Sequence, residues 1–549
     1  MHSRDGFEVV NRILTDEVCR RAFLRRLAWT GAGVAALGAL DLARIPAAFG
    51  QQARRGGTIK LGIGENIDTL DPHQTTIITA VAIHNNIYNG LLKITYDGQK
   101  VDFVPDLAHR WEIIGDRTHV FHLHEGVSFH NGEPLTAAVV KWNLERVKDV
   151  KQSPIHAWKL ELLESIDTPD DHTVKLTFAK PYPFLRVALT GSTGRAGTIV
   201  SPKAVEQWGK DYGRHPVGTG PFKFVDWKEA DYILLERNPN YFEPGVDGKP
   251  LPYLDKVHLK FIIEPSTLVA GIASGELDGI NNVSPQFMAT LRRNPNLTVH
   301  SVVGGNWNCI HFNCAREPFS DQHLRLAVAY AINREEIVKQ IHFGEAIVAY
   351  GPISPPMTGF YDPEFGKRQE GQYFDMERAQ AHLKQSKHAG GATVSLITPN
   401  SEYYPRQAEV LQAQLAKIGL KANIQVLDIP TFRKRWLDER DWDLVTLRWD
   451  ADLDPDETLF PELHSKERWN AGRWINADFD RLVELARAEA DQRQRKQYYD
   501  EAVQLIVKEA PVAVISHVNE LKVFQKSVRS FQTIPANLLN MHGVWVEKA

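Results

Sequence analysis

The sequence predicts an α/β protein, and two patterns carry this prediction. From about residue 300 to residue 517, strand patterns alternate with helical patterns, as they do where helices cover a sheet. From residue 101 to residue 178 strand patterns dominate, and a second strand-rich stretch begins at residue 218. A chain of 549 residues is long enough for roughly two to four domain-sized units with large cores.

The first half of the chain contains two predicted helices among short strands. Helical spacing covers residues 80–92 and residues 136–147, and Thr136 is the expected N-cap of the second helix. Period-two alternation of apolar and polar residues predicts strands at residues 58–64, 119–124, 232–236 and 257–263.

The second half contains longer helical patterns. Residues 321–342 are predicted as one amphipathic helix, and residues 404–418 as another that ends at Gly419. Residues 476–507 are highly charged and predict two helices divided around Asp491.

The amino-terminal 50 residues are typical of an export signal. Arg20 and Arg21 precede an apolar run at residues 27–40, and small residues at 48–50 suit cleavage. The run is too short for a bilayer, which needs about 20 residues. We therefore predict a twin-arginine-type signal peptide at residues 1–50 and a periplasmic mature protein. We expect no lipid anchor, because Cys19 precedes the apolar run.

The three cysteines do not predict a disulfide framework. Cys19 lies in the predicted signal, which leaves Cys309 and Cys314. These two lie in one predicted strand and would point to opposite faces, so we expect two buried thiols. A Cys309–Cys314 bridge in an oxidising compartment is the alternative.

Composition gives no reason to expect a nucleic-acid partner. The formal net charge is −4, and nucleic-acid-binding chains usually carry a basic excess. The 13 Trp and 24 Phe suit large cores and also the lining of a ligand cleft.

Motifs of nucleotide-binding and hydrolytic enzymes are missing from the sequence. Residues 62–64 lack the third Gly of a dinucleotide loop, and residues 218–221 lack the following Lys-Ser/Thr of a P-loop. Neither Gly-x-Ser-x-Gly nor His-Glu-x-x-His occurs. We expect no catalytic residues and no cofactor, with a hydrolase assembled from distant residues as the remote alternative.

Histidines near the middle of the first half suggest a metal hypothesis. His122 and His124 share one face of a predicted strand, with His119 and His130 close by. No cysteine or carboxylate stands at matching spacing except Glu125, and solvent-facing strand histidines are the competing interpretation.

An acidic cluster follows the predicted strand at residues 443–447. Its carboxylates imitate the start of a calcium loop, but Pro455 and Pro461 occupy the positions that need Gly and Glu. A carboxylate at a strand end beside Trp449 suits recognition of a ligand ammonium group. A solvated acidic loop is the alternative. The cluster consists of Asp450, Asp452, Asp454, Asp456 and Glu457.

Several segments, in the expected order, resemble extracellular solute-binding protein family 5, the receptors of peptide, dipeptide and nickel ABC importers. The run Phe121 to Ala137 is close to the family's most recognisable signature, and it includes His122 and His130. The similarity covers residues 57–547. The other matching segments are residues 69–73, 86–92, 105–108, 218–222, 236–241, 254–255, 275–278, 318–319 and 325–333.

The resemblance implies an α/β fold of the periplasmic-binding-protein type, class II or cluster C. Two lobes joined by a hinge would close on a ligand. Lobe I would comprise residues 51–92, 196–302 and 518–549, and lobe II residues 303–517. A β-rich domain would be inserted at residues 93–195.

The resemblance also implies a function and its partners. The protein would capture a peptide or similar small solute and deliver it to ABC permease subunits in the inner membrane, acting as a monomer. A receptor for a metal, a metal chelate of the nickel type or another non-peptide solute is the alternative.

The family's peptide binders use an Asp that soon follows a Trp in the second lobe to hold the ligand's α-amine. Asp452, three residues after Trp449, matches that position, although this chain is one residue shorter than some members before Pro455. The remaining predicted ligand contacts, with no metal among them, are Asp450, Trp307, Asn306 and Tyr88. Core packing is the competing interpretation of Trp307.

Overall fold

The computed structural model describes residues 53–75, 77–191, 193–365, 372–401, 403–450 and 453–547. The predicted signal at residues 1–50 and the predicted ligand contact Asp452 lie outside the described residues. Among the described residues, no helix has the length and apolar character that crossing a membrane requires.

The strands are β1 (Thr58–Ile63), β2 (Leu92–Tyr96), β3 (Val101–Pro105), β4 (Ala108–Ile114), β5 (Thr118–Leu123), β6 (Leu163–Asp170), β7 (Thr173–Phe178), β8 (Phe222–Lys228), β9 (Tyr232–Arg237), β10 (Lys256–Phe261), β11 (Gly279–Asn281), β12 (Leu297–Val303), β13 (Asn306–Phe312), β14 (Ala346–Val348), β15 (Ala392–Pro399), β16 (Leu420–Leu427), β17 (Leu444–Asp450), β18 (Val512–Gln525), β19 (Val528–Arg529) and β20 (Trp545–Val546).

The α-helices are α1 (Ile78–Ile87), α2 (Ala137–Lys148), α3 (Leu185–Ala188), α4 (Pro202–Trp208), α5 (Pro265–Ser274), α6 (Met288–Leu291), α7 (Gln322–Ala331), α8 (Arg334–Gln340), α9 (Met376–Gln385), α10 (Tyr404–Ala416), α11 (Ile429–Arg433), α12 (Pro455–Leu463), α13 (Ala477–Arg487) and α14 (Gln492–Glu509).

One large mixed sheet organises the described part of the chain. Its twelve strands run in the order β16-β15-β17-β13-β18-β11-β1-β10-β9-β8, and β12 and β14 also pair with β18. The pairs β1–β10, β1–β11, β15–β16 and β15–β17 are parallel, whereas the pairs that β18 makes are antiparallel. A separate four-stranded sheet has the order β4-β5-β7-β6. The mixed sheet with its covering helices confirms the predicted α/β class.

Strand β18 serves two parts of the large sheet. Its first part, Val512–Val518, pairs with β13 and β14. Its second part, Asn519–Gln525, pairs with β12 and β11. The chain therefore passes between the two parts of the sheet at Val518, and again between β12 and β13.

These two passages are tied together by one side chain. The Asn306 amide Nδ2 donates to Val518 O at 2.9 Å, and Asn306 Oδ1 accepts from Val518 N at 2.8 Å. Gly304 lies against the same group, since a Cβ there would meet Asn306 Nδ2 at 2.2 Å. The close approach therefore requires glycine at position 304.

Separate hydrophobic cores pack on different parts of the sheets. Leu444 lies in a core beneath helices α7 and α10, and the next residue, Val445, lies in a second core with α12, α13 and α14. Neighbouring residues of a strand point to opposite faces, so β17 contributes to both cores. A third core surrounds β1 and β10, and a fourth joins α2 to β5 and β7.

The structure corrects one predicted helix and confirms other details. Residues 321–342 form two helices, α7 and α8, because Ile332 is extended and Asn333 caps α8 by accepting from Glu336 N. The Thr136 cap of α2 is confirmed. The charged region at residues 476–507 forms two helices, α13 and α14, that divide around Asp491 as predicted. The thiols of Cys309 and Cys314 are free; Cys309 is buried as predicted, whereas Cys314 is half-buried.

Replacing the amide that ties the two passages tests its contribution. Asn306→Ala should lower the free energy of unfolding by about 1–3 kcal/mol, because two buried backbone groups of Val518 lose their partner. Urea denaturation measures this change. Asn423→Ala, at an exposed strand position, is the matched control, and an equal loss in both variants contradicts the assignment.

Candidate functional site

A cavity that opens to solvent lies beside the passages between the two parts of the large sheet. We call it the cleft cavity. Helix α1 forms one wall, the end of β17 another, and β18 with the carboxy-terminal segment a third. Its lining residues are Ile78, Val81, Thr193, Arg195, Gly305, Asp450, Glu520 and residues 535–538.

A second cavity shares Leu538 with the first. Helix α1 lines both, since Ile78 and Val81 face the cleft cavity while Asn85 and Tyr88 face the second. Two charged residues, Lys93 and Asp106, also line the second cavity.

Two acidic side chains, those of Asp450 and Glu520, line the cleft cavity, and each has a basic neighbour. Arg448 Nε lies 3.0 Å from Asp450 Oδ1. Glu520 lies 3.9 Å from the buried ammonium of Lys522. Burial lowers the pKa of Lys522, and the nearby Glu520 counters that effect.

Arg195 supplies positive charge to the same cavity. It is 7% exposed and sits in a glycine-rich segment with a left-handed φ of 61°. A non-glycine residue in this conformation is uncommon and is over-represented at binding sites.

Four of the predicted ligand contacts are neighbours across strands β13 and β17. Trp307 pairs with Trp449, and Asn306 pairs with Asp450. Side chains at paired positions lie close on one face of a sheet. Of these four, Asp450 lines the cleft cavity.

Trp307 lies in a hydrophobic core, and the half-buried Trp449 packs against the same core. The Trp449 indole N–H donates to Glu457 O at 3.0 Å, and its ring meets Trp469 edge-on at 5.6 Å. Trp307 is fully buried, stacked on His311 at 6.3 Å. Their contact with ligand stays a prediction.

The other two predicted residues also have partners within the protein. The Asn306 amide is engaged by Val518, as described above. The Tyr88 hydroxyl donates to Leu70 O at 2.9 Å and lies 3.2 Å from the Tyr212 hydroxyl, while its side chain lines the second cavity. A role in ligand binding stays a prediction for both.

A buried ionic network holds the segment that leads into α1. Arg146 on α2 donates to both carboxylate oxygens of Asp71, at 2.6 and 3.1 Å, and to His73 Nδ1 at 2.6 Å. His73 Nε2 in turn donates to Thr198 O at 2.9 Å. Burial alone would raise the pKa of Asp71, but Arg146 more than offsets it, so the pKa lies below its ordinary value.

A second network joins the segment at residues 156–161 to helices α12 and α13. Arg487 donates to Glu161 Oε1 at 2.5 Å and to Trp158 O at 2.9 Å, and its Nε lies 3.4 Å from Asp456 Oδ2. Lys159 Nζ lies 3.4 Å from Glu457 Oε2, with both side chains buried. These pairs connect the part of the chain before β8 with the part after β17.

One cluster of three side chains that could together bind a metal ion occurs among the described residues. Cys309, His311 and Glu462 bring their ligand atoms within 4.8 Å of one another, and His311 Nε2 lies 2.6 Å from Glu462 Oε1. These donors suit an ion such as Zn²⁺. All three side chains are buried, so an ion there would be enclosed by the core rather than offered to the cleft. The histidines at 119–130 form no such group among the described residues.

Sequence reasoning missed Arg195, Glu520 and the carboxy-terminal wall. A usable signal existed for Arg195, because it is the one charged residue between Arg186 and Lys203, in a run with three glycines. Glu520 and residues 535–538 carried no local signal, since only the pairing of β18 brings them to the cavity.

Comparisons with known proteins agree with this architecture. The model of the bacterial extracellular solute-binding proteins, family 5 Middle, matches residues 102–471. The glutathione-binding protein GsiB of Salmonella typhi is 27% identical over 516 residues, which cover 91% of this chain and 96% of GsiB.

Solved structures give the same result. The periplasmic binding protein DppA of Helicobacter pylori, in complex with the peptide STSA, is 26% identical with a TM-score of 0.80, covering 90% of this chain and 99% of DppA. AgaA of A. tumefaciens R10, in complex with agropinic acid, is 25% identical with a TM-score of 0.80 over the same shares. The predicted two-lobed binding-protein fold is thereby confirmed.

Acid should destabilise the fold through buried neutral histidines. Burial lowers the pKa of His73 to about 4 and that of His84 to about 3. Between these values and the unfolded pKa of about 6.5, the unfolded chain binds protons that the folded chain does not, so stability falls as pH falls. Each histidine contributes up to about 1.4 kcal/mol per pH unit.

Urea denaturation at pH 7, 6 and 5 measures this slope. His84→Gln should flatten it by about one proton relative to the unsubstituted protein. The same slope in both proteins would show that His84 does not titrate on unfolding.

Removing the Arg487 side chain should lower the free energy of unfolding strongly. Arg487→Ala leaves Asp456 as a buried charge without its cation and should lower the free energy of unfolding by about 3–5 kcal/mol. Arg481→Ala, at an exposed position on the same helix, should cost less than about 1 kcal/mol. Similar losses measured by urea denaturation would contradict the role of Arg487.

Proposed function

We propose, from the premise that the chain belongs to the bacterial extracellular solute-binding proteins of family 5, that it captures a small peptide-type solute in the cleft cavity. It then presents the solute to the permease subunits of an ABC importer. The observation that carries this proposal is a cavity bounded by both parts of the large sheet, with Arg195 on one wall and Asp450 on another.

The proposed mechanism is closure of two lobes about a hinge. Lobe I comprises residues 51–92, 196–302 and 518–549, lobe II comprises residues 303–517, and residues 93–195 form the inserted domain. The separate cores and the two passages of chain beside the cleft support this division. A ligand that contacts both lobes favours the closed form by its differential affinity for that form.

The proposed cargo carries an ammonium group. Asp450 and Glu520 face the cleft cavity, and Asp452 follows two residues after Asp450 in the sequence. A carboxylate in a partly enclosed site pairs well with an ammonium. The bound peptide of the DppA structure and the name of GsiB support a short peptide or peptide-like solute.

The remaining proposals concern location and chemistry. We infer export to the periplasm through a twin-arginine-type signal, supported by Arg20, Arg21 and the apolar run that follows. The receptor acts as a monomer without a lipid anchor, and its function is to bind the solute. It catalyses no reaction, and transport energy comes from the importer's ATPase.

Calorimetry with short peptides tests the proposal. Free-amine di- and tripeptides should bind, and their N-acetyl forms should bind at least about tenfold more weakly, since the acetyl group removes the charge that Asp450 attracts. Asp450→Asn should weaken free-amine peptides and leave N-acetyl peptides nearly unchanged.

Asp438→Asn, at an exposed position in the same part of the chain, is the control. Equal binding of free and acetylated peptides would contradict ammonium recognition. Absence of binding across the peptides, with a different class of small molecule co-purifying with the protein, would overturn the peptide cargo.

A further inference from the structure

A buried carboxylate on helix α12 lacks the partners that such a group normally has. Glu462 is 0% exposed, and neither of its carboxylate oxygens has an aligned hydrogen-bond donor among the described residues. Its ionic neighbour there is His311, whose Nε2 lies 2.6 Å from Glu462 Oε1 without the alignment of a hydrogen bond. No lysine or arginine in that part of the chain forms an ion pair with it. Buried carboxylates are normally paired with a cation or coordinate a metal.

A thiol completes a cluster of three potential ligands. Cys309 and His311 are two residues apart on β13, so their side chains point to the same face of the sheet. Potential ligand atoms of these two residues and of Glu462 lie within 4.8 Å of one another. The Cys309 thiol is 0% exposed and makes only a long contact, 3.6 Å, with Leu447 O. Thiolate, imidazole and carboxylate are the protein ligands that Zn²⁺ takes.

The charge of the cluster matches a divalent cation. With Cys309 as a thiolate and Glu462 ionised, the ligands carry two negative charges, which one divalent cation cancels. The cation would thereby remove the cost of burying the Glu462 charge. The Cys309 thiol would release its proton to solvent as the metal–sulfur bond forms.

The distances suit a ligand-free site that adjusts slightly on binding. Bonds of about 2.0–2.3 Å to a tetrahedral Zn²⁺ place neighbouring ligand atoms about 3.3–3.6 Å apart. That separation lies between the 2.6 Å from His311 Nε2 to Glu462 Oε1 and the 4.8 Å limit for the whole cluster. The first distance must increase by about 1 Å, and rotation about the soft terminal torsion of Glu462 supplies such a shift.

Aromatic rings pack around the imidazole. Trp307 stacks on His311 with ring centroids 6.3 Å apart, and Trp436 meets the same ring edge-on at 6.4 Å. These rings restrict the rotation of the imidazole and keep water from it. An ion in such surroundings is a structural one, bound as the chain folds.

We propose that Cys309, His311 and Glu462 bind a resident divalent cation of the zinc class, which fastens α12 to β13. None of these three residues lines the cleft cavity. The inference therefore goes beyond the proposed function and does not depend on the cargo.

The ion would hold a helix that contacts the cleft wall. The Trp449 indole N–H donates to Glu457 O on α12 at 3.0 Å. Trp449 is next to Asp450, the residue at which β17 ends in the wall of the cavity. Fixing α12 thus stabilises the position of that wall.

Refolding the full-length protein with and without metal tests the site. The protein is unfolded with a chelator and a reductant, refolded with excess Zn²⁺ or with no added metal, and dialysed. About one zinc per chain should remain, and the thermal midpoint should exceed that of the metal-free protein. Cys309→Ala and Glu462→Gln should each retain at least about tenfold less zinc and show no rise in midpoint. Cys314→Ala, which removes the other described thiol, should preserve both effects.

The spectrum of the Co²⁺-loaded protein identifies the ligand without relying on the folding of a variant. A thiolate bound to tetrahedral Co²⁺ gives a sulfur-to-metal charge-transfer band, which should appear in the unsubstituted protein and in Cys314→Ala. Absence of this band overturns the site. Equal zinc retention by Cys309→Ala and the unsubstituted protein, or no retention by either, also overturns it. None of these measurements uses a peptide, so a negative result leaves the proposed function standing.

Discussion

Antiparallel pairing along strand β18 is the constraint on which the rest of the structure depends. Its first part hydrogen-bonds to β13 and its second part to β12 and β11. The same strand places Glu520 in the cleft cavity and receives the Asn306 amide at Val518. A change in the register of β18 would therefore move the passage at Val518 and one wall of the cleft cavity together.

Buried charge is arranged unevenly around the cleft. Away from the cavity, Asp71 with Arg146 and Asp454 with Arg495 form close pairs that satisfy one another. Such pairs add little net stability but are costly to break, so they fix the geometry of the elements that carry them. Arg195 differs from these groups, because it lines the cleft cavity and forms no ion pair among the described residues.

Much of the fold could be predicted from the sequence, because local patterns and family motifs report on local structure. The Thr136 cap, the division of the charged region around Asp491 and the unpaired thiols followed from residue type and spacing. The helix predicted at 321–342 was wrong because its apolar periodicity continues through Ile332, while the Asn333 cap begins a new helix. The candidate site was predicted only where it lies beside a motif. Arg195 and Glu520 are more than 300 residues apart in the chain and line the same cavity only through the tertiary fold, which no local pattern encodes.

The central claim is that a small solute with an ammonium group is held in the cleft cavity between the two parts of the large sheet. A crystal structure of the protein with its co-purified solute tests it most directly. The account predicts a solute whose cationic group contacts the wall at Asp450 and whose remainder contacts a second wall of the cavity. A solute bound elsewhere, or one in this cavity that touches only a single wall, would contradict the account.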